Sequence, residues 1–317
     1  MAYTTINKGG TYFNPKIYTG NATERSITGV GFQPDFTWIK DRDGTFSHVL
    51  GNAVSGNDKF LSSNNTSAEG TDSGKFRTFV SDGFQIGTHN GVNANSNDYA
   101  SWNWKAGGSA SSNSDGSITS SVSVNTTAGF SIVSYSGTGS SATVGHGLGV
   151  APNVIITKQK TGTAQWNFQN SMLGYSQYMA LNTTDASQAT GGAIISSVSS
   201  TTYSCDGNSV INAGSGATYV SFCFAQKQGY SKFSSYTGNG NVNGPFAYTG
   251  FKPAFVMVKR TDSTSDWLIC DDARNPLNVV NKKLFANLNQ GDDSYDSFDF
   301  VSNGFKIRSS GTGHNAS

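Results

Sequence analysis

The chain has 317 residues, a formal net charge of +1 and a charged fraction of 13%, about half the roughly 25% usual in soluble domains. So balanced a charge gives no electrostatic footprint for nucleic acid or an anionic membrane surface, and no apolar run approaches the roughly 18–20 residues of a membrane span. Aromatics at 12%, with 38 Gly and 6 Pro, exclude a disordered chain; bulky rings set among Gly, Ser, Thr and Asn belong to an all-β protein rich in turns.

Internal repetition organises the chain. Residues 1–12 form an N-terminal arm without a basic-then-apolar leader, so no signal peptide is read there. The first repeat, 13–106, opens with Tyr18-Thr19-Gly20. Sixteen residues on comes Pro34, then Lys40 six later, Phe84 about fifty residues past the proline, and a closing Tyr99-Ala-Ser-Trp-Asn-Trp. Residues 107–128 are Gly/Ser-rich and read as a flexible linker, although Ile118, Val122 and Val124 could add an edge strand. The second repeat, 129–226, returns the same anchors as Tyr135, Pro152, Lys158, Tyr203 and Tyr219-Val-Ser-Phe-Cys-Phe. A short junction leads to the third repeat, 229–317, with Tyr236, Pro253, Lys259 and Phe305. That junction predicts that the second and third repeats pack as a unit.

Within each repeat the period is two. Phe36, Trp38 and Lys40 share one face with Ile39 opposite; Val154 goes with Ile156, and Phe255 with Met257. Ala100, Trp102 and Trp104 make a stripe that Val220, Phe222 and Phe224 repeat. The prediction is therefore all-β: three tandem β-sandwich repeats of jelly-roll or lectin-like type. Only the stretch 275–289 offers a short turn of helix. The third repeat lacks its last strand, since a closing aromatic strand would begin near residue 320. Either the chain is shortened there, which is the favoured reading, or another copy donates a strand, for which the stretch from Tyr3 to Phe13 is the candidate.

Several segments are similar to a repeat family in virion proteins of marine tailed bacteriophages. They are the opening Met-Ala-Tyr-Thr-Thr-Ile, Gly-Phe-Gln-Pro-Asp-Phe-Thr-Trp-Ile-Lys-Asp-Arg, Asp-Tyr-Ala-Ser-Trp-Asn-Trp-Lys-Ala-Gly-Gly and Tyr-Thr-Gly-Phe-Lys-Pro-Ala-Phe-Val-Met-Val-Lys-Arg. The likeness covers nearly the whole chain. It implies a tail-fibre-like structural protein, in phages of cyanobacteria and similar hosts, whose repeat domain has no known function. The missing last strand departs from that family's pattern.

Signals of chemistry are weak. His48, His89, His146 and His314 share no metal-ligand spacing, and Gly145-His146-Gly147 reads as a tight turn. Cys205, Cys223 and Cys270 are widely spaced and read as reduced filler. A glycan hydrolase needs two carboxylates across a cleft, but only Glu24 and Glu69 are glutamates. Asp41-Arg42-Asp43-Gly44 and Asp292-Asp293-Ser294-Tyr295-Asp296 read as turns and solvated loops ahead of weak Ca²⁺ sites. Lys40, Lys158 and Lys259 read as strand-end charges that blunt an edge. Trp38, Trp102 and Trp104 read as core ahead of sugar-stacking platforms.

No catalytic, metal or cofactor residue is assigned, and no binding residue is singled out. The function expected is a non-enzymatic virion protein, in a tail fibre or appendage that meets the host surface through loops such as residues 88–98 and 208–218. Its partners would be other virion proteins, further copies of itself (trimers being common in fibres) and a host surface glycan, with no nucleic acid and no membrane insertion. The alternative is an architectural capsid decoration, collar or tail component. A glycan-cleaving tailspike ranks last.

Overall fold

Strands with one bulky face can persist only if that face is covered, and the covering here comes from three directions. The computed structural model describes residues 4–189, 194–207, 209–214 and 216–317. Strand accounts for 41% of the chain and helix for 5%, so the protein is all-β.

In the first segment an inner sheet runs in the order Phe13–Thr19, Asp98–Trp104, Phe36–Asp41, Val49–Asn52. An outer sheet of Arg25–Thr28, Gly83–Ile86 and Phe76–Val80 lies over it. The second segment keeps this order as Phe130–Ser136, Thr218–Phe224, Val154–Gln159, Asn167–Asn170, with Ala142–Gly145, Thr202–Cys205 and Ile195–Val198 outside. Register agrees too. Trp104 lies between Phe13 and Phe36, and Phe224 lies between Phe130 and Val154. In the third segment six strands form one sheet, Phe246–Tyr248, Gly304–Ile307, Asp293–Val301, Val280–Phe285, Leu268–Asp271, Phe255–Val258.

Alternation sorts the side chains as the period of two requires. Ile39, Phe84 and Tyr99 fill a core between the two sheets of the first segment, as Ile155, Tyr203 and Tyr219 do in the second. The opposite faces do not meet solvent. Trp38, Trp102, Ile156, Phe222, Trp267 and Leu284, drawn from all three segments, belong to one central cluster. The inner sheets therefore face one another around a shared core, and the segments are not independent sandwiches strung along the chain. Nor do the second and third pair off alone, because the first packs against both.

Three further local expectations are corrected. Residues 107–128 are not a free linker. Ser111–Asn113 and Ser120–Asn125 extend the second inner sheet, and Ile118 and Val122 are buried. Burial of the apolar side chains outweighs the flexibility of the serines between them. In the stretch 275–289 there is no helix but the strand Val280–Phe285, paired on both sides. The N-terminal stretch is not a free donor strand either. Phe13 pairs with Trp104 of its own segment, and Ile6 is buried; Tyr3 lies outside the described residues.

Three seams close the ring of segments, each built in the same way. Backbone N–H groups of Glu69, Ser187 and Asp292 donate to the carbonyls of Lys160, Thr261 and Arg42, at 2.8, 2.8 and 2.6 Å. Beside each bond a ring N–H crosses the seam. Trp166 Nε1 donates to Ser62 O at 2.9 Å and Trp267 Nε1 to Ala180 O at 3.1 Å. At the third seam His48 takes this place, its Nε2 lying 3.0 Å from both Phe285 O and Leu288 O. His48, Trp166 and Trp267 each follow the conserved-spacing prolines Pro34, Pro152 and Pro253 by fourteen residues.

Candidate binding surfaces

The residues singled out from sequence mostly hold the ring together. Lys40 and Lys158 are fully buried and blunt no exposed edge, and Lys259 is half-buried. Lys158 Nζ reaches across its seam to Thr66 O at 3.1 Å, and Lys259 Nζ reaches Thr184 O at 3.3 Å. Lys40 Nζ donates to Asp41 O at 2.6 Å. Burial lowers all three ammonium groups to about 8. The edge reading failed because a strand end that looks free in one segment abuts the next.

The carboxylate clusters are also structural. Asp41 accepts from the N–H groups of Asp43 and Gly44 at 2.9 and 3.0 Å, a turn of the expected kind. Asp292, expected in a solvated loop, instead bridges Arg42 and Arg274 at 2.9 Å each. Arg274 is buried and also pairs with Asp271 Oδ2 at 2.7 Å, an oxygen that accepts from Trp102 Nε1–H as well, at 3.0 Å. Asp293 pairs with Lys283 at 3.1 Å, and Asp296 is exposed. Among the described residues no three His, Cys, Asp or Glu side chains form a metal-binding group. Glu24 pairs with Arg77 at 3.0 Å and Glu69 with Lys160 at 3.6 Å.

The histidines and cysteines stay apart. His48 accepts from Trp38 Nε1–H through Nδ1 at 2.7 Å, and burial pushes its pKa down to about 3. His146 accepts from Leu148 N–H within its turn, His89 caps the short helix Asn90–Asn93, and His314 is buried. Cys205, Cys223 and Cys270 are buried free thiols. Trp38 and Trp102 lie in the core, whereas Trp104 is only half-buried.

The loops expected to carry recognition are tightly pinned at their centres. In residues 88–98 the helix Asn90–Asn93 buries Gly91, Val92 and Asn93. Asn93 accepts from Asn21 N–H and donates to Thr23 O and Gly87 O. Asn212 and Asn315 repeat the arrangement with Thr138 and Ser140, and with Asn239, Asn241 and Ser309. Solvent meets Thr88, Asn90, Asn95 and Ser96 in the first loop, and Gly214 and Gly216 in the second; Asn208 and Ser215 lie outside the described residues. Sequence reasoning missed these asparagines and the ring residues at the seams. Constant offsets, nine or ten residues after Phe84, Tyr203 and Phe305 for the asparagines, were the available signal.

One concave surface stands out. In the first two segments the strand that follows the proline is paired on both sides. In the third, Phe255–Val258 pairs, among the described residues, only with Leu268–Asp271. Its other edge opens into a groove of about 1140 Å³, lined by Phe13, Trp104, Phe224, Phe233, Phe255 and Met257 among others. Phe255 and Met257 are half-buried, while their counterparts Phe36, Trp38, Val154 and Ile156 are at most 6% exposed. The third segment also carries most of the exposed large apolar side chains, with Leu277 at 79%, Val242 at 62% and Tyr248 at 58%.

Searches of curated proteins and of solved structures return no match. A family model described as a domain of unknown function, DUF7483, matches residues 8–317. That span takes in all three segments, the strands at 107–128 and the seams between them, so the chain belongs to the DUF7483 family.

Proposed function

We propose that this protein is a non-enzymatic structural subunit of a tailed-phage virion, in a tail fibre or similar appendage that meets the host surface. The observation that carries the reading is closure. Three β segments share one core and are locked by three seams of backbone bonds and ring N–H groups, two of them also crossed by a lysine. A ring closed in this way is a stiff block, because opening any seam exposes the common core. It presents pinned loops whose tips are Asn, Ser, Thr and Gly, side chains suited to hydrogen-bonding a glycan. Several copies in one particle would add weak contacts into firm attachment.

The sequence likeness to virion proteins of marine phages supports the location. A second reading, an architectural component without receptor contact, is favoured by the exposed Val242, Phe246, Tyr248 and Leu277, which would be covered by a neighbouring subunit. Immunogold labelling of intact particles separates the two. Gold at fibre or tail ends supports host contact; gold on the head or collar supports architecture. Particles that carry no label refute the virion assignment.

A further inference from the structure

One place in the core of the second segment breaks the apolar pattern of the other two. The cross-strand pairs Ile39–Val49, Thr157–Asn167 and Val258–Leu268 hold the same position in the three segments. Ile39 and Val49 lie in the first core; Leu268 lies in the third, with Val258 packed against it. The second segment puts a hydroxyl and an amide there, 0% and 1% exposed. The ring above them changes in step. Phe84 and Phe305 face Ile27 and Ala247 across their strands, and the residue that faces Val144 in the same way is Tyr203, fully buried. Three polar side chains thus stand together in one core where apolar ones serve elsewhere.

Two of the three are satisfied within the protein. Ser221 Oγ lies 2.9 Å from Tyr203 OH and 2.8 Å from Thr157 Oγ1, so the three hydroxyls form a chain. When Tyr203 donates to Ser221 and Ser221 to Thr157, the Thr157 proton is left to give. Gln169, two residues from Asn167 on the same face, is held twice: its Oε1 accepts from Ile195 N–H at 2.9 Å and its Nε2 donates to Ile195 O at 3.2 Å. Asn167 differs. Its Oδ1 and Nδ2 are both buried, and neither has a hydrogen-bond partner among the described residues. Asn167 stands directly across from Thr157, their Cα atoms about 4.5–5.5 Å apart as in any such ladder, yet the two side chains share no bond. On its other side Asn167 pairs with the small Ala180, where the third segment sets Phe285 beside Leu268.

We infer that the core of the second segment is an internal hydration site, in which at least one buried water bridges the Asn167 amide and the Thr157 hydroxyl. A dry amide in this place would bear the full desolvation cost of two polar atoms, and buried groups of this kind are paired in nearly all folded proteins. Water is the occupant that the chemistry selects. It both donates and accepts, so it serves either end of the amide and takes the spare Thr157 proton. A buried water makes about three such bonds to groups that lack protein partners. Asn167, Thr157, Ser221 and Tyr203 are at most 1% exposed, so they offer no mouth through which a larger solute could enter. The small Ala180, and Thr157 in place of a bulkier isoleucine, provide the room.

The test uses the full chain, isotope-labelled in its asparagine side chains. Magnetic cross-relaxation between water and the Asn167 side-chain amide is expected, with the sign of a long-lived contact. A crystal structure of the parent should show the same water within hydrogen-bond distance, at most about 3.2 Å, of Asn167 and Thr157. Asn167→Val, which copies Val49 of the first segment, assigns the signal by its loss. Thr157→Val, which keeps the shape and copies Val258 of the third, removes one arm of the bridge, and the water signal at Asn167 should disappear with it. A signal that survives Thr157→Val, an Asn167 amide with no water contact, or a crystal structure in which that amide bonds directly to protein atoms overturns the inference. So does an Asn167→Val chain whose folding equilibrium is more than about fivefold more favourable than the parent's, since that gain is what relief of a dry amide would give.

Discussion

Acidification should unlock the seam held by His48. The ring is fully buried, and its tautomer is set by its neighbours. Trp38 Nε1–H donates to Nδ1 at 2.7 Å, so the proton sits on Nε2 and points to Phe285 O and Leu288 O of the third segment. A second proton would go on Nδ1, against the indole N–H. Burial and the nearby Lys40 charge put the folded pKa at about 3, against about 6.5 in the unfolded chain. Between these values the unfolded chain binds more protons, so this contribution to stability is full above pH 6.5 and is lost as pH falls towards 3. The slope is about 1.4 kcal/mol per pH unit, hence a loss of about 2 kcal/mol at pH 5 from this one ring. His314, lowered to about 4 by burial, acts in the same direction. Urea unfolding at pH 7, 6 and 5 reads the slope for the parent and for His48→Gln. The variant should be less stable at pH 7 but lose about 2 kcal/mol less on going to pH 5. Parallel stability curves for the two proteins would refute the argument.

Other perturbations follow from the same geometry. The folded pKa of Lys158 is about 8, below the unfolded value of about 10.4; stability therefore rises with pH from about 8 towards 10, and Lys158→Met makes that rise shallower in urea titrations, leaving the share of Lys40 and Lys259. Trp267→Ala should cost about 3–5 kcal/mol through the cavity it leaves in the shared core, whereas Trp267→Phe removes one hydrogen bond to the Ala180 carbonyl, which keeps the Thr183 N–H at 3.3 Å, and should cost about 1 kcal/mol; calorimetric melts distinguish them. Arg274→Met leaves the buried Asp271 without its ion pair, while Asp292 keeps Arg42, and should cost about 3–5 kcal/mol, a loss that adding Asp271→Asn partly restores. Asn93→Ala frees three backbone groups and should speed hydrogen exchange across Asn90–Asn93, at a cost of about 1–3 kcal/mol.

What could be read from the chain alone was local and periodic. Alternation assigned Phe36, Trp38, Trp102 and Phe222 to one face and Ile39 and Tyr99 to the other, because successive side chains of a strand must point opposite ways. The recurring Tyr-Thr-Gly or Tyr-Ser-Gly, proline and closing aromatic strand marked elements that the structure pairs in one register in the first two segments. Alternation is silent, however, on what lies beyond a buried face. That the inner faces of the three segments share a core, and that Lys158 and Lys259 cross seams to residues 92 and 75 positions away, depend on distant parts of the chain, and that Ile118 and Val122 draw the Gly/Ser-rich stretch into a sheet depends on the partner strand Phe130–Ser136. A lysine at a strand end has the same sequence signature whether water or a neighbouring segment faces it. Only the closure of the ring, with its exchange of hydrated charge for carbonyl partners, decides which.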